Sequence, residues 1–436
     1  MNAIRGSGHR SLRSRALVAL AIAVAVVGAT AACSPGASGK PPALRLSIFW
    51  WGGPERASIT EQTLALYTRK HPNITFKRQW QANNGYYHKL ATMAAGGQAP
   101  DIFQMDDNSL TDYAIRNIAR DLSDLVGPGN QIDESRLPES LVAYGNVGGR
   151  PFGVPSSENT PALFYDKTLL RELGMPEPQI GWTYRQLIDW AAEITRRSGG
   201  KVYGTMDPSA DYKALWLWLR SQGKELYDGS SLGFTADDLQ RWLDLWASAR
   251  QRGATPPPEI VATANTNDTD AHLVINQRGA TTFAWSNMLA ELQKGTDHEL
   301  GITAFPGNPS GQWARASQYW SIYKGTRQAE EAAKVIDFLV NDLEAGTILG
   351  TERGLPANID IRTHITPGLP PSMRATVAYE TAMAPRFGPA PAPPPKGHSQ
   401  VKALLLQAAE SVLWGRTTTR QAAAQLMTRA RPALEN

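Results

Sequence analysis

A single cysteine stands in 436 residues, which excludes an internal disulfide and any site built from several thiolates. The six histidines beyond the N-terminal segment (His71, His88, His272, His298, His364 and His398) are scattered without metal-ligand spacing. No HExxH or P-loop pattern occurs, so the signatures of a zinc protease and a phosphate-cradling loop are missing. No internal repeat is visible. Net charge is lacking too. The formal charge of +4 and the pI near 9.0 come from the N-terminus. Four of the 44 basic residues (Arg5, Arg10, Arg13 and Arg15) precede residue 33, none of the 40 acidic ones does, and the remainder balances. Nothing in that balance favours a nucleic-acid partner.

Hydrophobic runs of membrane-spanning length are also scarce. Ala16 to Ala32 is uncharged for 17 residues, marginal for a span, and no stop-transfer cluster follows it. With basic residues before it and small residues at its end, the run has the three parts of a secretory leader covering residues 1–32. Thr30-Ala31-Ala32-Cys33 is similar to a bacterial lipoprotein cleavage box, with Thr30 where a leucine is usual. That resemblance implies a lipidated Cys33, with residues 33–42 as a flexible tether. The protein is then expected outside the cytoplasmic membrane and attached to it by acyl chains. The chain is too long for one ordinary core, and two domains are expected.

Beyond the tether, Leu44, Leu46, Ile48 and Trp50 alternate with Arg45, Ser47 and Phe49, the period-two pattern of a strand. Trp51-Gly52-Gly53-Pro54 ends it, and a helix runs from there to His71-Pro72. A second strand (Ile74 to Trp80), a helix bearing Tyr87 and Leu90, and a third strand (Asp101 to Met105) follow. The third strand ends on Asp106-Asp107-Asn108, where Asn108 is a candidate cap for a helix from Leu110. Three such alternations predict a parallel, helix-covered sheet with ligands beyond its carboxyl ends. Gly149 to Leu170 reads as two short strands around a polar break, because Pro155 and Pro161 suit no central strand. Ser157, Glu158 and Asn159 lie in that break, which is expected to cross between two lobes. Thr183 to Gln186 and Thr235 to Asp238 open helices, and Trp242 and Trp246 at helical spacing read as core. A second crossing is expected at Pro306.

Several segments carry a further signal. They are Gly97-Gln98-Ala99-Pro100-Asp101-Ile102, Gly153-Val154-Pro155 with Phe164-Tyr165-Asp166-Lys167, and Gly174-Met175-Pro176 before Gly181-Trp182-Thr183. Ala284-Trp285-Ser286-Asn287, Arg353-Gly354-Leu355-Pro356 and Gly415-Arg416-Thr417 complete the set. In this order and spacing they resemble the extracellular solute-binding proteins of ATP-driven sugar importers, the group that includes maltose-binding protein. The resemblance implies an α/β, two-lobed, type II periplasmic-binding-protein-like fold with a multi-strand hinge and a ligand cleft between the lobes. One lobe would be 43–156 plus 306–350 and the other 157–305 plus 351–436. It also implies a monomer, no cofactor, no covalent chemistry and delivery of ligand to an ABC transporter permease.

A pyranose presents hydroxyls around its rim and flat C–H faces, so its site calls for carboxylates, amides and aromatic planes. The aromatic candidates at strand ends and breaks are Trp51, Phe283, Trp285, Tyr319 and Trp320, with Trp218 from the apolar helical run Asp211 to Gln222 beside them. The polar ones are Asp106, Asp107, Glu158, Asn159, Asn287 and Arg353, with Gly53 at the first strand's end. The family often has glycines where Gln318-Tyr319-Trp320 stands, a departure that bears on ligand length. Two alternatives are open. A glycerophosphodiester, polyol or amino sugar is the first, with Arg353 or Arg56 serving a phosphate. An extracellular glycosidase using two of Asp106, Asp107 and Glu158 is the second.

Overall fold

The alternation in the first quarter of the chain becomes three parallel strands. In the computed structural model, which describes residues 42–264 and 272–435, β1 (Leu44–Trp51) lies between β2 (Ile74–Gln81) and β3 (Ile102–Met105), parallel to both. α1 (Pro54–Lys70) and α2 (Tyr86–Ala95) make the crossovers. Pro54 occupies the first turn of α1, where its missing N–H costs nothing. Leu46, Ile48, Phe49 and Trp50 are all fully buried, so both faces of β1 are covered. Cys33 and the leader lie outside the described residues.

After β3 the chain adds β4 (Val154–Glu158) to the same sheet and then β5 (Pro161–Asp166) to a second one. β6 (Thr281–Trp285) and β7 (Leu300–Thr303) flank β5, both antiparallel, with Trp285 opposite Pro161 and Thr303 opposite Leu163. β8 (Ala316–Ile322) returns to the first sheet between β3 and β4, antiparallel to each, and β9 (Leu355–Pro356) pairs antiparallel with β4. The large sheet is therefore mixed, not wholly parallel as expected. The reason lies in the route: β8 enters from the second sheet at the edge where β3 and β4 end, so it must run the opposite way.

The chain passes between sheets at Asn159–Thr160 and again between β7 and β8. Phe305 and Trp313 still pack in the small sheet's core, while Ala314 and Ala316 pack in the large sheet's. The third passage falls beyond β9 and α9 (Ile359–Ile365), because α9 packs on α8 (Leu343–Leu349) whereas α10 (Pro371–Met383) packs on β7. Leu355–Pro356, expected with the second lobe, belongs to the large sheet. A two-residue strand shows no alternation, and the break at Arg353-Gly354 resembles a boundary. Gly354 adopts φ +118°, and a Cβ there would lie 2.7 Å from the Glu158 carbonyl oxygen, so the break reflects close backbone approach to β4.

The caps agree in part with expectation. Thr183 with Gln186 opens α4 (Tyr184–Arg197), and Thr235 with Asp238 opens α6 (Ala236–Gln251), each as a reciprocal capping box. At α3 (Asp107–Ile115) the cap is Asp106, not Asn108. Asp106 accepts the Ser109 N–H at 2.9 Å, and its charge suits the helix N-terminus.

α7 (Ala329–Asn341) covers the large sheet. Beside the small sheet, α4, α5 (Tyr212–Arg220), α6, α11 (His398–Leu413) and α12 (Thr419–Glu435) enclose a tryptophan-rich core. Trp242 and Trp246 are fully buried there. Trp218 and Phe283, expected as ligand contacts, belong to the same core. Trp218 packs 5.7 Å from Trp242, and Phe283 packs 4.7 Å from Phe305. Their burial completes the apolar side of α5 and the inner face of β6. Trp242→Ala is expected to lower stability by about 3–5 kcal/mol, read as a reduced urea midpoint. An unchanged midpoint would remove Trp242 from the core.

Candidate ligand-binding site

The edge where β3 and β4 end and β8 begins faces the edge where β5 begins and β6 ends. Arg315, one residue before β8, occupies this junction. Its Nε donates to Asp107 Oδ2 at 2.7 Å and its Nη2 to Asp107 Oδ1, a bidentate pair with both side chains buried. The Arg315 carbonyl accepts the Asn159 N–H at 2.9 Å. Its guanidinium lies 4.2 Å from the Trp285 ring centroid, and Lys213 Nζ lies 4.6 Å from the same centroid. Tyr144 Oη donates to Asp107 Oδ2 at 3.2 Å. Tyr212, at the start of α5, donates to Asn108 Oδ1 at 3.3 Å and so links α5 to α3. Burial opposes the Asp107 charge, yet Arg315 holds this carboxyl below its ordinary value. Asp106 moves the other way, raised by burial and by the Asp107 charge.

A second cluster sits where the chain first crosses. Glu158 Oε2 accepts from Arg362 Nη2 at 2.6 Å, and Arg362 Nη1 lies 3.9 Å from Glu380 Oε2. Ser286 Oγ donates to Glu380 Oε1 and accepts the Thr160 N–H at 3.0 Å. Tyr379 Oη donates to the Pro161 carbonyl at 2.7 Å. α10 thus grips the crossing through two side chains.

The candidates distribute unevenly over these clusters. Asp106, Asp107 and Trp285 meet at Arg315. Trp51 stands at the end of β1 with its ring 5.8 Å from Tyr87, whose hydroxyl accepts the Asp106 N–H at 2.8 Å. Gly53 is exposed and caps α1 with open space around its Cα. Glu158 is committed to Arg362. Asn159 and Asn287 each keep a buried side-chain oxygen without a partner among the described residues. Tyr319 and Trp320, expected to face ligand, are buried on β8, Tyr319 against Gly153 and Trp320 beneath Arg353 at 5.5 Å. A strand covered on both faces has no free ring plane, so these two shape the sheet. Arg353 donates to Thr60 Oγ1 at 2.8 Å, and its Nε and Nη1 have no partner among the described residues. Burial, and then Arg56, lower its guanidinium to about 9.

Arg315, Tyr212, Lys213, Arg362 and Glu380 escaped the sequence reading. Asp211 before Tyr212 was a readable cap, since it accepts the Lys213 N–H at 2.8 Å. Arg315 and Glu380 gain their meaning from partners 208 and 94 positions away in the chain, which no local pattern reveals.

Polar and aromatic side chains from two sheets with separate cores gather at one junction, an arrangement of the kind that suits a small polar molecule. A sequence profile described as bacterial extracellular solute-binding protein matches residues 52–342, and the chain belongs to that family. It is 25% identical over 311 residues to a putative binding protein of Brucella abortus, covering 68% of this chain and 72% of that one. A family 1 extracellular solute-binding protein of Alicyclobacillus acidocaldarius has a similar structure (TM-score 0.75, 26% identity, 91% of this chain and all of the other). A periplasmic oligogalacturonide-binding protein of Yersinia enterocolitica shares the fold (TM-score 0.75, 19% identity, 90% of this chain and all of the other). No helix among the described residues is long and apolar enough to cross a membrane.

Glu380 gives this junction a pH dependence. Burial first, and then the Glu158 charge, push its carboxyl from 4.5 up to about 8. The folded protein keeps a proton there that the unfolded chain has released, so stability falls as pH rises from 4.5 to about 8. Glu380→Gln is expected to flatten that fall in urea midpoints taken across the window. An identical slope in variant and parent would contradict the assignment.

Proposed function

We propose that the protein captures a carbohydrate outside the membrane and delivers it to an ABC transporter permease. One observation carries this reading: Arg315 and Tyr212 bring carboxylate, amide and aromatic groups from both sheets into one place. Asp106 offers acceptors to sugar hydroxyls, and the Asp107–Arg315 pair offers fixed charge to polar groups beside it. Trp51, Tyr87 and Trp285 supply aromatic planes for C–H faces. The oligogalacturonide named for the Yersinia protein is consistent with a saccharide. The two sheets with their cores act as lobes, joined at 159–160, 304–315 and 366–370, and ligand favours the closed form through differential contacts with both. Capture without turnover suits the acids present, since Asp107 is held by Arg315 and Asp106 caps α3. Thr30 to Cys33 support a lipid anchor at Cys33, followed by the tether, which holds the protein near its permease as a monomer.

The test is thermal unfolding of the purified protein against mono- and disaccharides, polyols and glycerophosphodiesters. A ligand at about 100 times its Kd adds about 2.7 kcal/mol of stability. A transition raised by saccharides supports the reading, and one raised by none of them ends it. Trp285→Ala is expected to weaken the bound saccharide about 2- to 10-fold through loss of one aromatic contact, measured by calorimetric titration. Full affinity in a folded variant would remove Trp285 from the site.

A further inference from the structure

Two lysines and a histidine converge on Tyr212. His398 and Lys402 lie four residues apart on α11, hence on one helix face. Both approach Tyr212: Lys402 Nζ at 4.8 Å from its ring centroid, and the His398 ring edge-on at 4.9 Å. His398 is 2% exposed, its Nδ1 lies 2.7 Å from Tyr227 Oη, and its Nε2 has no partner among the described residues. With the Tyr227 hydroxyl donating to Nδ1, the remaining proton of the neutral ring sits on Nε2. Burial, and then Lys402, hold the ring neutral by lowering it to about 4.

The two ammonium groups nearby are poorly matched. Lys402 has no ion-pair partner among the described residues, and burial, followed by Lys213, lowers it. Lys213 Nζ lies 5.5 Å from the Tyr212 ring, with the Asp211 carboxylate 3.6 Å away and already capping α5. Arg315 and Asp107 satisfy each other, and Asp106 caps α3. A desolvated ammonium without a counter-ion is costly, and a bound anion removes that cost. A neutral hydroxyl accepts a hydrogen bond but offsets no charge.

We propose that the saccharide carries an anionic substituent, a carboxylate or a phosphate, seated among Lys402, Lys213 and His398 Nε2 beside Tyr212. This rests on the carbohydrate reading and narrows it to acidic sugars. It also disfavours an amino sugar, whose cation would meet two ammonium groups.

Calorimetric titration of the purified protein with galacturonate, digalacturonate and glucose 6-phosphate, beside galactose and glucose, tests this. At least one acidic saccharide is expected to bind about tenfold or more tightly than its neutral counterpart, and added NaCl is expected to erode the difference. The uronate and phosphate arms decide which anion is read. Lys402→Met brings the acidic-to-neutral affinity ratio toward one, whereas Lys402→Arg preserves it. Should Lys402→Met fail to fold, Lys402→Gln reads the same ratio. Equal or better binding of neutral sugars overturns the inference and leaves the carbohydrate reading intact, as does a ratio unmoved by loss of the Lys402 charge. If no saccharide of either kind binds, the carbohydrate reading falls and the inference with it.

Discussion

The buried pairing of Arg315 with Asp107 is the constraint around which the junction is organised. Asp107 begins α3 beside the large sheet, Asn159 lies on the crossing, and Trp285 ends a strand of the small sheet. Arg315 touches all three, with its guanidinium to the first and last and its carbonyl to the second. Neither member of the pair is tolerable alone. An uncompensated buried charge costs about 3–5 kcal/mol, so each residue specifies the position of the other. The same pair fixes Asp106 indirectly, because the start of α3 holds both acids at the end of β3.

The rest of the junction is less well balanced, and that imbalance has functional meaning. Glu158 and Glu380 share one guanidinium at the crossing, and Arg353 Nε and Nη1 have no partner among the described residues. On the small-sheet side, His398 Nε2 has no partner among the described residues, and Lys402 Nζ lies 4.8 Å from the Tyr212 ring. Buried polar groups are ordinarily satisfied, so each unmet group marks a place where a ligand, water or a moved side chain completes the structure. Polar contacts of this kind can exchange partners, which a wholly apolar interface cannot do without opening a void.

Much of the fold was legible in local pattern. β1 and β2 alternate, the capping boxes of α4 and α6 stand in the sequence, and Trp242 with Trp246 declares a core stripe. The small sheet was legible as well, because β5, β6 and β7 are apolar runs ended by proline or a polar break. β9 was not, since two residues carry no period and pair only through the backbone. The site was harder. Asp106, Asp107 and Trp285 were readable as a group because they stand where strands end, and the fold brings those ends together at Arg315. Tyr319 and Trp320 sit at a similar place in the chain but on a central strand, so packing on both faces claimed them. Arg315 was invisible because its role depends on an acid two hundred residues earlier.

The account stands on the claim that Asp107, Arg315 and Trp285 act on the ligand as one unit drawn from both sheets. A double-mutant cycle between Asp107→Asn and Trp285→Ala, read as affinity for the bound saccharide, tests it directly. The account predicts a coupling of at least about 0.5 kcal/mol, because each change disturbs the Arg315 guanidinium that both partners share. Additive losses, or no loss from either change, would contradict it.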